Sequence, residues 1–150
     1  MPTEQENLAD WRRLSIPFAQ HLGITIAQMA DGRSELRLDT KPEHLNSFGV
    51  VHGGALMTLI DVTMAAAGRS MQPEMGMVTI EMKTSFMQPA HGPVVARGRL
   101  VHRTRSMAFL EATVEDSDGR QCCHATGTFK YMPRPPEGDG GPADVSPATD

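Results

Sequence analysis

With 150 residues, 39% of them hydrophobic and 21% charged, and a formal charge of -4, the chain has the composition of one globular domain with its own core. The acidic balance argues against nucleic acid as the main partner. No apolar run approaches the roughly 18 residues of a membrane span, and the start MPTEQENLAD is polar where a secretory leader is basic and then apolar, so no membrane partner and a cytoplasmic location are expected.

Residues 6–21, ENLADWRRLSIPFAQH, mix charges with spaced apolar positions, and Pro17 breaks or restarts any helix there. A short leading helical segment is expected over residues 1–21. LGITIAQMA and RSELRLD then flank the turn Asp31-Gly32. Leu36 and Leu38 alternate with Arg33, Glu35, Arg37 and Asp39, which predicts a hairpin with one wet face.

After a polar loop, Leu56, Leu59, Ile60, Thr63, Met64 and Ala67 recur at the spacing of a buried helical stripe, predicting a helix from near Gly53 to between Gly68 and Ser70. Four apolar-alternating runs follow, separated by Pro89–Gly92, Thr104–Arg105 and Asp116–Gly119, and read as a four-stranded meander. In the first run Val78, Ile80, Met82 and Phe86 are expected to face the core, opposite Thr79, Glu81, Lys83 and Ser85. The adjacent Cys122 and Cys123 cannot form an ordinary bridge and are expected to be reduced strand residues. The eleven methionines are expected mainly to fill the core. From Pro133 on, PRPPEGDGGPADVSPATD is nearly free of large apolar residues and is expected to be a disordered tail over residues 133–150.

One residue breaks the apolar pattern of the helix. Asp61 falls on a flank with Gly54, Ala65 and Gly68, with Thr58 beside them, and this flank of small residues would let a backbone or a slender ligand approach. A carboxylate is costly to bury unless something pairs with it or uses it. It therefore sits either at a solvated helix edge or in a working site. Upstream, His52-Gly53-Gly54 marks the helix start, where unpaired N–H groups and the positive end of the dipole suit an anion or a developing oxyanion. A phosphate loop would need a Gly-Lys-Ser/Thr ending, which is missing. His44 and His52 lack a third ligand at metal spacing, so no metal is expected, and His52 is expected to brace the loop.

The pattern His44-x-Asn46-x-x-Gly49-x-Val51-His52-Gly53-Gly54 followed by Leu59-x-Asp61 resembles the signature of hotdog-fold acyl-CoA thioesterases of the PaaI type, from phenylacetate pathways. PFAQHLGI and TSFMQPA extend the likeness, which covers most of residues 17–132. The resemblance implies an α+β fold, a curved antiparallel sheet wrapped around one long helix, as a single domain over residues 22–132. It also implies a homo-oligomer, dimer or tetramer, with active sites between subunits and an acyl-CoA substrate. Asn46 would contact the thioester or orient water, and the Gly53 amide would polarise the carbonyl. Asp61, reaching in from the partner, would be general base or nucleophile. Thr79 matches a position where a hydroxyl holds water, and His52 and Gly54 belong to the substrate loop. No cofactor is implied.

The residue types suit that chemistry on their own terms, because thioester hydrolysis builds charge on a carbonyl oxygen and needs a carboxylate to take a proton from water or to attack. Among Arg97, Arg99, His102, Arg103 and Arg105, alternation puts Arg97 and Arg99 on one side and His102 on the other. Arg103 and Arg105, at the turn, are the better candidates for coenzyme A phosphates. Two rival readings are a hydratase or dehydratase on the same fold and a non-catalytic acyl-CoA binding module.

Overall fold

The computed structural model describes residues 16–135. The leading residues up to 15 and the tail from 136, with most of the two terminal segments expected from the sequence, lie outside them. Helix α1 (Pro17–Leu22) starts at Pro17, where a missing N–H costs nothing, and stops at Gly23 in the left-handed conformation, φ 81°. Strands β1 (Ile24–Ala30) and β2 (Arg33–Leu38) form the expected hairpin about Asp31 and Gly32, both at positive φ. Leu36 and Leu38 are buried and Arg33 and Arg37 exposed, so the hairpin has the wet face its alternation predicts.

A one-turn 3-10 helix (Pro42–His44) and a loop lead into α2 (Gly53–Arg69), followed by β3 (Met75–Phe86), β4 (Val94–Arg103), β5 (Met107–Glu115) and β6 (Gln121–Pro133). All strand pairs are antiparallel, and the six-stranded sheet has the order β1-β2-β4-β5-β6-β3. Helix α2 lies along one face of it. Leu59, Ile60 and Met64 are sealed against Leu36, Val94, Leu110 and Phe129. Small residues on the central strands, Ala96, Gly98, Ala112 and Ala125, let the helix approach the sheet closely. Both cysteines are free and buried in β6, and burial pushes the Cys123 thiol up to about 11, which keeps it protonated and inert.

Three expectations fail, one through the choice of a strand's neighbour and two through β-bulges. The last four strands are not a meander: β4 to β6 are, but β3 sits at the far edge beside β6, because β4 takes the free side of β2 in the register Arg33↔Arg99 to Leu38↔Val94. Residues 87–93 therefore cross about 14 Å of sheet, three strand spacings, to reach β4. The alternation within β3 also breaks. Its register with β6 slips between Thr79 and Glu81, so Ile80 is an extra, bulged residue, 54% exposed, and the residues before it change faces. Thr79 lies opposite Phe129, on the helix side, and Val78 and Ile80 leave the core face assigned to them. A second bulge, between Leu100 and His102, brings His102 opposite Phe109 on the same face as Arg97 and Arg99, not on the reverse face as simple alternation predicts.

Candidate functional site

The loop before α2 is organised by two polar side chains. Asn46 Oδ1 accepts hydrogen bonds from the backbone N–H of Phe48 at 2.9 Å and of Val50 at 3.3 Å. Its own N–H donates to Val50 O at 2.9 Å, and Gly49 closes the turn at φ 74°. Because two donors point at the amide oxygen, its orientation is fixed and the Nδ2 donors are left to face elsewhere. His52 is the N-cap of α2: Nδ1 accepts the Gly54 N–H at 2.7 Å, and its backbone N–H donates to the carbonyl of buried His44 at 2.8 Å. The cap takes up Gly54, which leaves Gly53, at the first position of the helix, with an N–H that has no protein acceptor among the described residues. Removing this cap in His52→Ala is expected to cost about 1 kcal/mol and to lower the midpoint of a thermal melt by about 2–4 °C.

Asn46 and Gly53 open onto a cleft of about 520 Å³ whose other walls include Phe48, Val50, Leu56, Phe86 and Met87. Sequence reasoning missed Phe86 and Met87 as part of this site. Alternation assigns Phe86 to the core, yet it is 51% exposed, at the end of an edge strand that no other element covers among the described residues.

Asp61 lies half-buried on the open flank of α2. Thr79 Oγ1 donates to Asp61 Oδ1 at 2.5 Å, a contact that exists because the bulge at Ile80 turns Thr79 toward the helix. Burial raises the Asp61 carboxyl above the ordinary aspartate value, and the Thr79 hydrogen bond opposes that rise only in part. Thr79 thus serves the carboxylate directly. No cation pairs with Asp61 among the described residues.

Within one chain the two halves of the expected site are not brought together. Asp61 follows Gly53 by more than two helical turns, roughly 12 Å along the axis, and does not line the cleft that Asn46 and Gly53 share. Arg103 faces Tyr131, whose hydroxyl donates to Gly68 O at 2.8 Å, so it stands at the C-terminal end of α2, far from the loop. Arg105 is exposed in the β4–β5 turn and makes no ion pair among the described residues. Arg97 and Arg99 are engaged on the outer sheet face, Arg97 with Glu35 and Glu115 and Arg99 with Glu111. No group of three or more His, Cys, Asp or Glu residues is placed to hold a metal ion among the described residues. None of their helices is long and apolar enough to cross a membrane.

An amide N–H at a helix start beside a fixed Asn amide can hold a carbonyl oxygen as it gains charge, and a desolvated carboxylate can act on water or on the carbonyl carbon. The comparisons agree with that chemistry. The sequence profile of the thioesterase superfamily matches residues 48–123, which include Gly53, Asp61 and Thr79. The proofreading thioesterase EntH of Klebsiella pneumoniae is 30% identical over 105 residues, 69% of this chain and 77% of that protein. A conserved protein of Pseudomonas aeruginosa has a similar structure, with TM-score 0.76 at 31% identity over 81% of this chain and 98% of that one. PaaI of E. coli, from the phenylacetic acid degradation operon, shares the fold with TM-score 0.75 at 20% identity, covering 83% of this chain and 91% of that one. With its helix start and its carboxylate both inside the matched segment, the chain belongs to the thioesterase superfamily, as a hotdog-fold hydrolase of thioesters similar to the PaaI-type enzymes.

Proposed function

We propose that this protein hydrolyses acyl-coenzyme A to a free carboxylic acid and coenzyme A, at a site shared between two copies of the chain. The observation that carries this reading is Asp61, a partly desolvated carboxylate held by Thr79 on an open helix flank, with no cation among the described residues to neutralise it. A structural aspartate would be paired or fully solvated. In the proposed site, Asp61 of one copy faces Asn46 and Gly53 of the other.

The Gly53 N–H and the Asn46 Nδ2 group hold the thioester carbonyl, and the dipole of α2 supports the charge that builds on its oxygen. Asp61 takes a proton from the attacking water or attacks the carbonyl carbon itself. His52 and Gly54 shape the loop that presents the amide, and Thr79 holds the carboxylate in place. Phe48, Leu56, Phe86 and Met87 offer an apolar wall for the acyl group. Arg105, exposed and without an ion pair among the described residues, and Arg103 beside it are the candidate phosphate ligands for coenzyme A. Residues 22–132 form the catalytic domain, and the assembly is a homo-oligomer, dimer or tetramer. The chemistry calls on no metal or cofactor.

The test is a thiol-release assay over about twenty CoA esters of short, aromatic and medium-chain acids. Release from at least one is expected, with Asn46→Ala lowering kcat/KM by about 10²-fold. Hydration of crotonyl-CoA without thiol release would overturn the proposal in favour of a hydratase, and tight binding without turnover would do so in favour of a binding module.

A further inference from the structure

His44 is 4% exposed, although Lys41, Glu43 and Ser47 around it in the chain are exposed. Burying an imidazole costs free energy unless its ring nitrogens are used. We propose that His44 is a positioning residue for the hydrolysis: its imidazole, with the proton on Nε2, sets the loop so that His52 caps α2 and the Gly53 N–H is left to meet the thioester carbonyl. The inference rests on the hydrolytic role proposed above and extends it to a residue outside the cleft.

Lys41 and His44 are tied by a reciprocal pair of hydrogen bonds. The Lys41 N–H donates to His44 Nδ1 at 3.0 Å, and the His44 N–H donates back to Lys41 O at 2.9 Å, closing the one-turn 3-10 helix on itself. A ring nitrogen that accepts from a backbone N–H carries no proton, so the proton of the neutral ring is on Nε2. With side chain and backbone of His44 both held, its carbonyl is aimed at His52 and accepts that N–H at 2.8 Å. The antiparallel bridge between Leu45 and Val51 sets His44 directly opposite His52. The Val51 N–H, donating to Ala90 O at 3.0 Å, anchors this bridge to the segment before β4.

His52 passes this placement on to the helix. Its Nδ1 accepts the Gly54 N–H at 2.7 Å, so a rotation of His52 moves the cap and the Gly53 amide beside it. A misplacement of about 1 Å in a group that holds the reacting carbonyl can cost about 10²-fold in rate. Around His44 the walls are otherwise quiet: the pocket of about 140 Å³ that it lines with His52 and Glu43 is closed by Phe18 and Leu22 of α1 and by Ala55 and Thr58 of α2, and the Thr58 hydroxyl already donates to Gly54 O at 2.9 Å. What the position requires is therefore an acceptor two bonds beyond Cβ, where Nδ1 stands. Asparagine supplies one at Oδ1. Glutamine carries its oxygen one bond further out, although it fills more of the volume of the ring.

The test starts without substrate, on the full chain carrying isotope-labelled histidine. A long-range proton–nitrogen correlation is expected to find the His44 proton on Nε2, and a proton on Nδ1 would refute the proposal. Hydrogen exchange of the Gly54 amide then reads the cap. It is expected to speed up at least about tenfold in His44→Gln and His44→Ala and to stay within about threefold of the parent in His44→Asn, while the Leu110 amide in the core is unchanged. Turnover should follow the same order: kcat for thiol release falls about 10²-fold in the glutamine and alanine variants, KM moves by less than about threefold, and His44→Asn keeps most of the parent rate. A space-filling role predicts the opposite ranking of asparagine and glutamine. Glutamine equal to or better than asparagine, an unchanged Gly54 amide in every variant, or a rise at Leu110 as large as at Gly54 would overturn the assignment. The tautomer and the amide are read without turnover, so they can fail while thiol release persists and hold where thiol release is absent.

Discussion

Asp61→Asn is expected to lower kcat/KM for thioester hydrolysis by about 10³-fold while leaving the fold intact, because the amide keeps the size of the side chain and can still accept from Thr79. The pH profile gives the same residue a second signature. The reaction uses the ionised carboxylate, so activity falls as pH drops through its pKa, and burial has raised that pKa above the usual aspartate value. The acid limb of kcat/KM should accordingly lie higher than an ordinary aspartate would give. Thr79→Val removes the hydrogen bond that opposes the rise, so its acid limb should move to still higher pH. Stability runs the other way. A carboxylate whose folded pKa exceeds its unfolded one costs the fold stability fully above the folded pKa, and that cost fades as pH falls through the folded pKa toward the unfolded value. At neutral pH, Asp61→Asn should melt at or above the parent chain, with the difference closing on acidification. Undiminished turnover in this variant, or a profile with no acid limb in the parent, would remove Asp61 from the chemistry.

The parts of this molecule legible in the sequence are those set by local spacing. The apolar stripe from Leu56 to Ala67 gives α2 nearly to the residue, Asp31-Gly32 gives the hairpin turn, and the loop is readable because an Asn, a His and two glycines each do a short-range task within a few residues of one another. What sequence reasoning missed is parity. A β-bulge adds one residue without any mark in the composition, and every assignment on its far side is then inverted. The bulge at Ile80 moved Thr79 from the expected wet face to the carboxylate, and the one between Leu100 and His102 put His102 among the arginines. The place of β3 was hidden for a different reason: alternation says that a strand has a buried face, but not which neighbour it chooses. That choice was decided by β2 pairing with β4, a contact between residues some sixty positions apart.

Gly98→Ala is expected to cost about 3 kcal/mol, through overpacking and the loss of a buried hydrogen bond, and to lower the thermal midpoint by about 6–12 °C. Gly98 lies in β4 directly beneath α2. A Cβ there would stand 2.7 Å from Ser34 Oγ and 2.9 Å from the backbone carbonyl of Thr63, and the carbonyl belongs to the helix itself and cannot rotate away. Ser34 Oγ already donates to that carbonyl at 2.6 Å, tying β2 to the helix at the same point. One methyl group must therefore break this tie or lift α2 off the sheet. Gly53 and Asp61 both ride on α2, so the same shift would misplace the amide and pull the carboxylate away from Thr79. Activity should fall with stability, although Gly98 touches neither. Gly76→Ala is the control: it also adds a methyl group to a strand glycine, but its nearest neighbour would be Met132 O at 3.5 Å, an ordinary contact, and no loss of melting temperature is expected. Equal midpoints for the two alanine variants would mean that the helix–sheet spacing is not held by the absent side chain at Gly98.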